Sequence, residues 1–170
     1  TADAAGNTFN ISPTSFARTD YGANAGSQNV DEAGAGPNTF ADAYNGAYGW
    51  PATNTFDGII YIKSAVKIQQ ITRGTSNTFL CGEKYSNPAN YFTGVDLGDN
   101  EAMYVGMDND VYRCTFSPPL RDTIGLQDTL RFGSAHSNSF NMLYCDGTVK
   151  SVDYSIEAAV YKATGRRFDP

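Results

Sequence analysis

Phe140-Asn141-Met142-Leu143-Tyr144-Cys145-Asp146-Gly147-Thr148-Val149-Lys150-Ser151-Val152 is the stretch on which the fold turns. Phe140, Met142 and Tyr144 recur with the period of two that marks a strand buried on one face. Asp146-Gly147 separates this run from a second short one. An Asp-Gly pair in that setting predicts a two-residue hairpin turn of type I′, in which both residues take positive φ. Working outward, Thr78-Phe79-Leu80-Cys81 reads as a buried strand. Ile59-Ile60-Tyr61-Ile62, Val66-Lys67-Ile68-Gln69 and Ala102-Met103-Tyr104-Val105 read as further β-rich segments, and Asn87 to Phe92 as one helical turn. Downstream, Ser155 is placed to cap a short helix through Ile156, Ala159 and Val160 that ends at Gly165.

Residues 1–57 are rich in Gly, Ala, Asn, Thr and Asp with little periodicity, which predicts long loops with short strands, the clearest of them from Arg18 to Ala25. The expected organisation is a single domain over residues 1–170, with a loop-rich part to residue 57 and a sheet core from residue 58. Its class is α+β and β-rich: an antiparallel sheet, long loops and few short helices. With 41% hydrophobic residues the chain can bury one continuous core. A formal charge of -6 with no run of Lys or Arg repels phosphate backbones, so nucleic acid is not an expected partner. The apolar runs fall short of the roughly 18 residues that a membrane-spanning helix needs. The first residue is Thr1 rather than Met, which fits a processed product.

His136 is followed by nine residues and then Asp146-Gly147. That spacing resembles the H-X9-DG signature of pilin-like proteins of planctomycete-type bacteria, the DUF1559 type. A second block, from Ile71-Thr72-Arg73-Gly74-Thr75-Ser76-Asn77-Thr78 to Gly82-Glu83-Lys84, is similar to the same family's DGTSNT…GEK motif, with Arg73 where the motif has Asp. Asp20 to Ser27 and Asn100-Glu101 to Asp108-Asn109-Asp110 extend the likeness. The resemblance implies a pilin-like globular headpiece: an extracellular or cell-surface structural subunit of a filament, tube or pilus-like assembly, without catalytic activity. Its partners would be copies of itself or sister pilin-like subunits. The alternative within that resemblance is a pseudopilin or minor pilin of a type II secretion or type IV pilus machine. Family precursors carry a prepilin leader and a long hydrophobic helix, neither of which appears in this sequence. Two alternatives follow: the helix has been cut off to leave a globular headpiece, or headpieces assemble through their own surfaces, such as sheet edges and the N-terminal part.

The chemistry-bearing residues point the same way. If Phe140 to Asp146 is extended, it spans roughly 20 Å, whereas catalytic partners must come within about 3 Å of each other. His136 and Asp146 therefore read as an anchor and a turn. Gly74, Thr75, Ser76 and Asn77 read as a tight turn whose polar groups satisfy its own backbone, and Glu83 with Lys84 as ion-pairing groups at a strand end. No organic cofactor is expected. Asp96, Asp99, Glu101, Asp108 and Asp110 supply hard oxygen ligands in loops, the donor set that Ca²⁺ selects, without the spacing of an EF-hand. Trp50, Tyr44, Tyr48 and Tyr61 raise a further reading as an extracellular glycan-binding module. Among Cys81, Cys114 and Cys145 an exported protein would form one disulfide, with Cys81–Cys145 the candidate pair. Asn10-Ile11-Ser12 is a glycosylation sequon.

Overall fold

The decisive stretch forms an antiparallel hairpin of β6 (Ser139–Tyr144) and β7 (Val149–Asp153), with Leu143 opposite Val149 and Ser139 opposite Asp153. The computed structural model of the chain describes residues 17–29 and 36–169; the sequon lies outside them. Two further strands, β1 (Tyr21–Asn24) and β2 (Phe79–Glu83), join the hairpin, and β3 (Tyr112–Arg113) completes a five-stranded sheet of order β3-β1-β2-β6-β7. All neighbours are antiparallel except β1 and β3, which run parallel. A small parallel pair, β4 (Leu120–Arg121) and β5 (Gly133–Ser134), stands beside it. Helices are few and short, α1 (Phe40–Asn45) and α2 (Ala158–Thr164), supplemented by single 3₁₀ turns at Ile68–Gln70, Thr75–Asn77 and Pro88–Asn90. The class is α+β and β-rich, as the sequence predicts.

Alternation in β6 does the expected work. Phe140, Met142 and Tyr144 are buried with Phe79, Phe132, Val152 and Tyr161, the last supplied by α2. Full burial of a ring of this size is worth about 2 kcal/mol, so this cluster is what fastens α2 to the sheet. Tyr161 meets the rings of Phe79 and Phe140 at centroid distances of 6.0 and 6.3 Å. A second cluster of Ala25, Phe56 and Tyr112 fills the β1–β3 end. Between the two sits Asn24, fully buried, whose amide donates to the carbonyls of Phe79 (2.7 Å) and Gly165 (2.9 Å) while its oxygen accepts from Gly26 N (3.0 Å). One side chain thus ties β1, β2 and the end of α2 together. A Cβ at Gly82 would lie 1.9 Å from Sδ of the buried Met142, whose side chain would have to move to admit it.

Several expectations are corrected. The Asp-Gly turn is not type I′. Among the described non-glycine residues only Lys63 has positive φ, so within the turn Gly147 alone takes it, at 86°. Gly147 N donates to Tyr144 O and Tyr144 N to Thr148 O, giving a three-residue loop whose last residue is the left-handed glycine. Residues 59–62, 66–69 and 102–105 form turns and a 3₁₀ segment, not strands. Their apolar side chains lack a pleated neighbour: Ile68 and Tyr104 are exposed, and the N–H groups of Ile59 and Ile60 both go to Asn24 O. β1 falls within Arg18 to Ala25, the strand expected in the loop-rich part, and lies inside the sheet. Helix α2 starts after Glu157, because Ser155 N donates instead to Asp153 Oδ1 (2.7 Å) and forms a turn ahead of it. All three cysteines are free thiols. The register pairs Cys81 with Leu143 and sets Cys145 against Thr78, so the two candidate partners are offset rather than opposed.

Candidate functional site

The two motif blocks meet across β2 and β6. Glu83, the last residue of β2, accepts from Asn141 N at Oε2 (2.6 Å) and from Asn141 Nδ2 at Oε1 (3.3 Å), and His136 Nε2 lies 3.4 Å from Oε1. Asp146 stands at the far end of β6 from His136, exposed, accepting from Thr148 N (2.9 Å) and Thr148 Oγ1 (2.7 Å). The histidine and aspartate of the signature therefore serve opposite ends of one strand. In the other block, Gly74 takes φ 93° at the start of the Thr75–Asn77 turn. Asn77 donates to Arg73 O, Thr78 Oγ1 to Gly74 O, and Lys150 of β7 reaches Ser76 O. Arg73, at the position where the motif has Asp, pairs with Asp169 near the C-terminal end.

Glu83 and His136 also border a cleft of about 380 Å³ with Asp20, Tyr21, Phe92 and Asp122 on its walls. The Tyr91 hydroxyl donates to Asp122 there, and Ser86 N donates to the same carboxylate at 3.0 Å. Burial, reinforced by Asp122, raises the Tyr91 phenol far above its usual range, so it remains the proton donor of that pair.

Five carboxylates named from sequence occupy the loops behind β2 and β3, and the structure divides them by role. Asp96 braces loops, accepting from Asn87 N (2.7 Å), Gly98 N (3.0 Å) and Gln127 Nε2 (2.9 Å). Asp99 takes the cations, Lys84 at 2.8 Å and Arg18 at 3.2 Å. Lys84 also donates to the carbonyls of Gly98 (3.0 Å) and Asp110 (2.7 Å), and burial pulls its ammonium below the usual lysine range. Arg113, fully buried on β3, donates to the carbonyls of Tyr112 (2.8 Å) and Gly98 (3.1 Å); burial lowers its guanidinium to about 10.

Glu101, Asp108 and Asp110 come together, with carboxylate oxygens within 4.8 Å of one another. Asp110 Oδ1 accepts from Glu101 N (2.7 Å), and Asp108 Oδ1 from Asp110 N (3.0 Å). Asp110 Oδ2 is buried with no hydrogen-bond partner among the described residues. Burial pushes the Asp110 carboxyl up to about 7, Asp108 adding to the effect while the Glu101 amide and Lys84 oppose it. The buried pairing of Lys84 with Asp99, and the link from Glu83 to His136, carry no local sequence signal: their partners lie in segments that only the fold brings together.

The aromatic residues divide too. Tyr61 stacks on Phe56 (5.1 Å) and Tyr48 meets Trp50 edge-on (5.0 Å), while Lys63 Nζ covers the Trp50 ring at 4.8 Å. Tyr44 is exposed.

Fold and motif geometry together define a β-rich α+β domain in which the signature residues of two separate blocks brace one strand pair. The chain belongs to the family described as "Protein of unknown function (DUF1559)", whose model matches residues 3–159. No curated protein and no solved structure matches it.

Proposed function

We propose that this chain is a structural subunit of an extracellular filament, tube or pilus-like assembly, with copies of itself or sister subunits as partners. The observation that carries the reading is the amount of large apolar surface left in water. Phe92 is 85% exposed, and Val95, Leu97, Ile124 and Leu126 are exposed as well. These residues are not scattered singly. Asn87 bonds to Gly125 N and Asp96 to Gln127, which draws the loop of Phe92, Val95 and Leu97 against the loop of Ile124 and Leu126. Large apolar side chains exposed on adjoining loops are a usual mark of a protein–protein contact.

The motif residues favour the same reading over hydrolytic chemistry, since Asp146 and Glu83 are engaged in bracing a turn and a strand. Among the described residues no helix is long and apolar enough to cross a membrane. Assembly as read here needs none.

The test is self-association of the purified chain, followed by sedimentation and negative-stain microscopy. Wild type forms polymers or defined oligomers, and the double variant Phe92→Ser, Leu97→Ser stays monomeric with an unchanged circular dichroism spectrum. Both side chains are exposed, so the fold should tolerate the change. A wild-type chain that is monomeric across concentrations and ionic conditions would sink the proposal.

A further inference from the structure

We infer that Glu101, Asp108 and Asp110 form a binding site for one divalent, oxygen-seeking cation of calcium size, which ties the loop they span to the β3 edge of the sheet. Geometry comes first. Two oxygens bound to the same calcium ion, each at about 2.4 Å, are separated by at most about 4.8 Å. The three carboxylates meet that limit pairwise.

A second observation is independent of the clustering. Asp110 is only 2% exposed, and its Oδ2 has no hydrogen-bond donor among the described residues. A buried carboxylate oxygen is ordinarily satisfied, and leaving one bare is costly. A cation is the partner that this oxygen can share with the neighbouring carboxylates.

Donor chemistry sets the class: with oxygen alone and no His or Cys in the group, calcium and magnesium fit and zinc does not. Asp108 and Asp110 are close in sequence and lie on an irregular turn, an arrangement suited to the looser geometry of calcium over strict octahedral magnesium.

The ion would have structural consequences. Asp108 O accepts from Val111 N and Tyr112 N at the start of β3, while Met103 N donates to Ala17 O. Between these points the loop carries exposed Tyr104. Fixing the carboxylates thus fixes both the parallel edge strand and a surface residue. This site is separate from the loop face on which the assembly reading rests, and either can fail without the other.

The experiment uses the full chain, stripped with chelator and titrated with calcium chloride alone by calorimetry and thermal unfolding. One ion binds per chain, and at tenfold excess over its dissociation constant the melting temperature rises by about 4 °C. Glu101→Gln weakens binding by roughly tenfold or more, since ligand charge sets affinity in such sites. Asp110→Asn abolishes the calcium-dependent rise, and without calcium it melts no lower than wild type, because the amide keeps the acceptor for Glu101 N and removes like-charge repulsion within the triad. Should Asp110→Asn fail to fold, Glu101→Gln, at a half-buried position, carries the test. No heat and no shift in wild type up to about 10 mM calcium would overturn the site. So would a shift of equal size in wild type and Glu101→Gln, which would place the ion elsewhere.

Discussion

At the scale of single residues, Glu83 and His136 touch each other, yet their structural weight is unequal. Glu83 accepts from a backbone amide of β6, Asn141 N, at 2.6 Å and from the same residue's side chain. Truncating it strips a half-buried N–H of its partner, a loss of about 1–3 kcal/mol. His136 has a side chain 61% exposed and meets Glu83 at 3.4 Å, a surface pair worth less than about 1 kcal/mol. Urea unfolding should therefore show Glu83→Ala destabilised well beyond His136→Ala. Equal losses would mean that the histidine, not the Asn141 amide, is what Glu83 holds. Sequence reading identifies both residues, one in each motif block, and places Glu83 at a strand end. It does not reveal that they meet, because nothing within a few positions of either encodes a contact made across the sheet. The same limit applies to the acidic residues. Five are visible as a composition of hard ligands, but their division into a loop brace, an ion-pair partner and a triad depends on where Lys84, Arg18 and the Asn87 amide arrive.

Among the elements, the β6–β7 hairpin was the most legible because its signals are local: alternation, an Asp-Gly pair and a second short run. Even so, the turn is not the type I′ turn that an Asp-Gly pair predicts. An Asp-Gly pair serves a type I′ turn and also the second and third positions of a three-residue loop, and only the number of residues between paired positions separates them. Here Gly147 carries the only positive φ of the turn, at 86°, with open space around its Cβ position. Gly147→Ala therefore tests backbone conformation without steric overlap, and a loss of about 1–2 kcal/mol is expected. Asp146→Ala removes two exposed hydrogen bonds to Thr148 and should lose about 1 kcal/mol or less. Chemical denaturation of both variants checks the order, and a neutral Gly147→Ala would contradict the left-handed turn. The runs at residues 59–62 and 102–105 failed for the opposite reason. Their β-branched and aromatic residues favour a strand only where a pleated neighbour waits, and the sheet places β1, not either of these runs, between β3 and β2.

For the molecule as a whole, the exposed apolar loops and the net charge act against each other. Phe92, Leu97, Ile124 and their neighbours gain by leaving water, whereas a formal charge of -6 on every copy opposes close approach. The repulsion is long-ranged and therefore screened by salt, from a Debye length of about 30 Å at 0.01 M to about 8 Å at 0.15 M. The hydrophobic contribution is short-ranged and is not weakened by that change. If the loop face is the contact, raising sodium chloride across this interval should lower the concentration at which the chain associates, as read by light scattering. Phe92→Ser, Leu97→Ser should remain monomeric at both salt concentrations. The opposite salt response, with association strongest at low ionic strength, would mean that ion pairs between copies drive the contact and would remove the apolar face from that role. Calcium adds a separate arm: an ion held at Glu101, Asp108 and Asp110 lowers the charge of each copy by two and fixes the Tyr104 loop. It should promote association beyond what the same ionic strength of sodium chloride achieves, and Asp110→Asn should cancel that excess while leaving the response to sodium chloride intact.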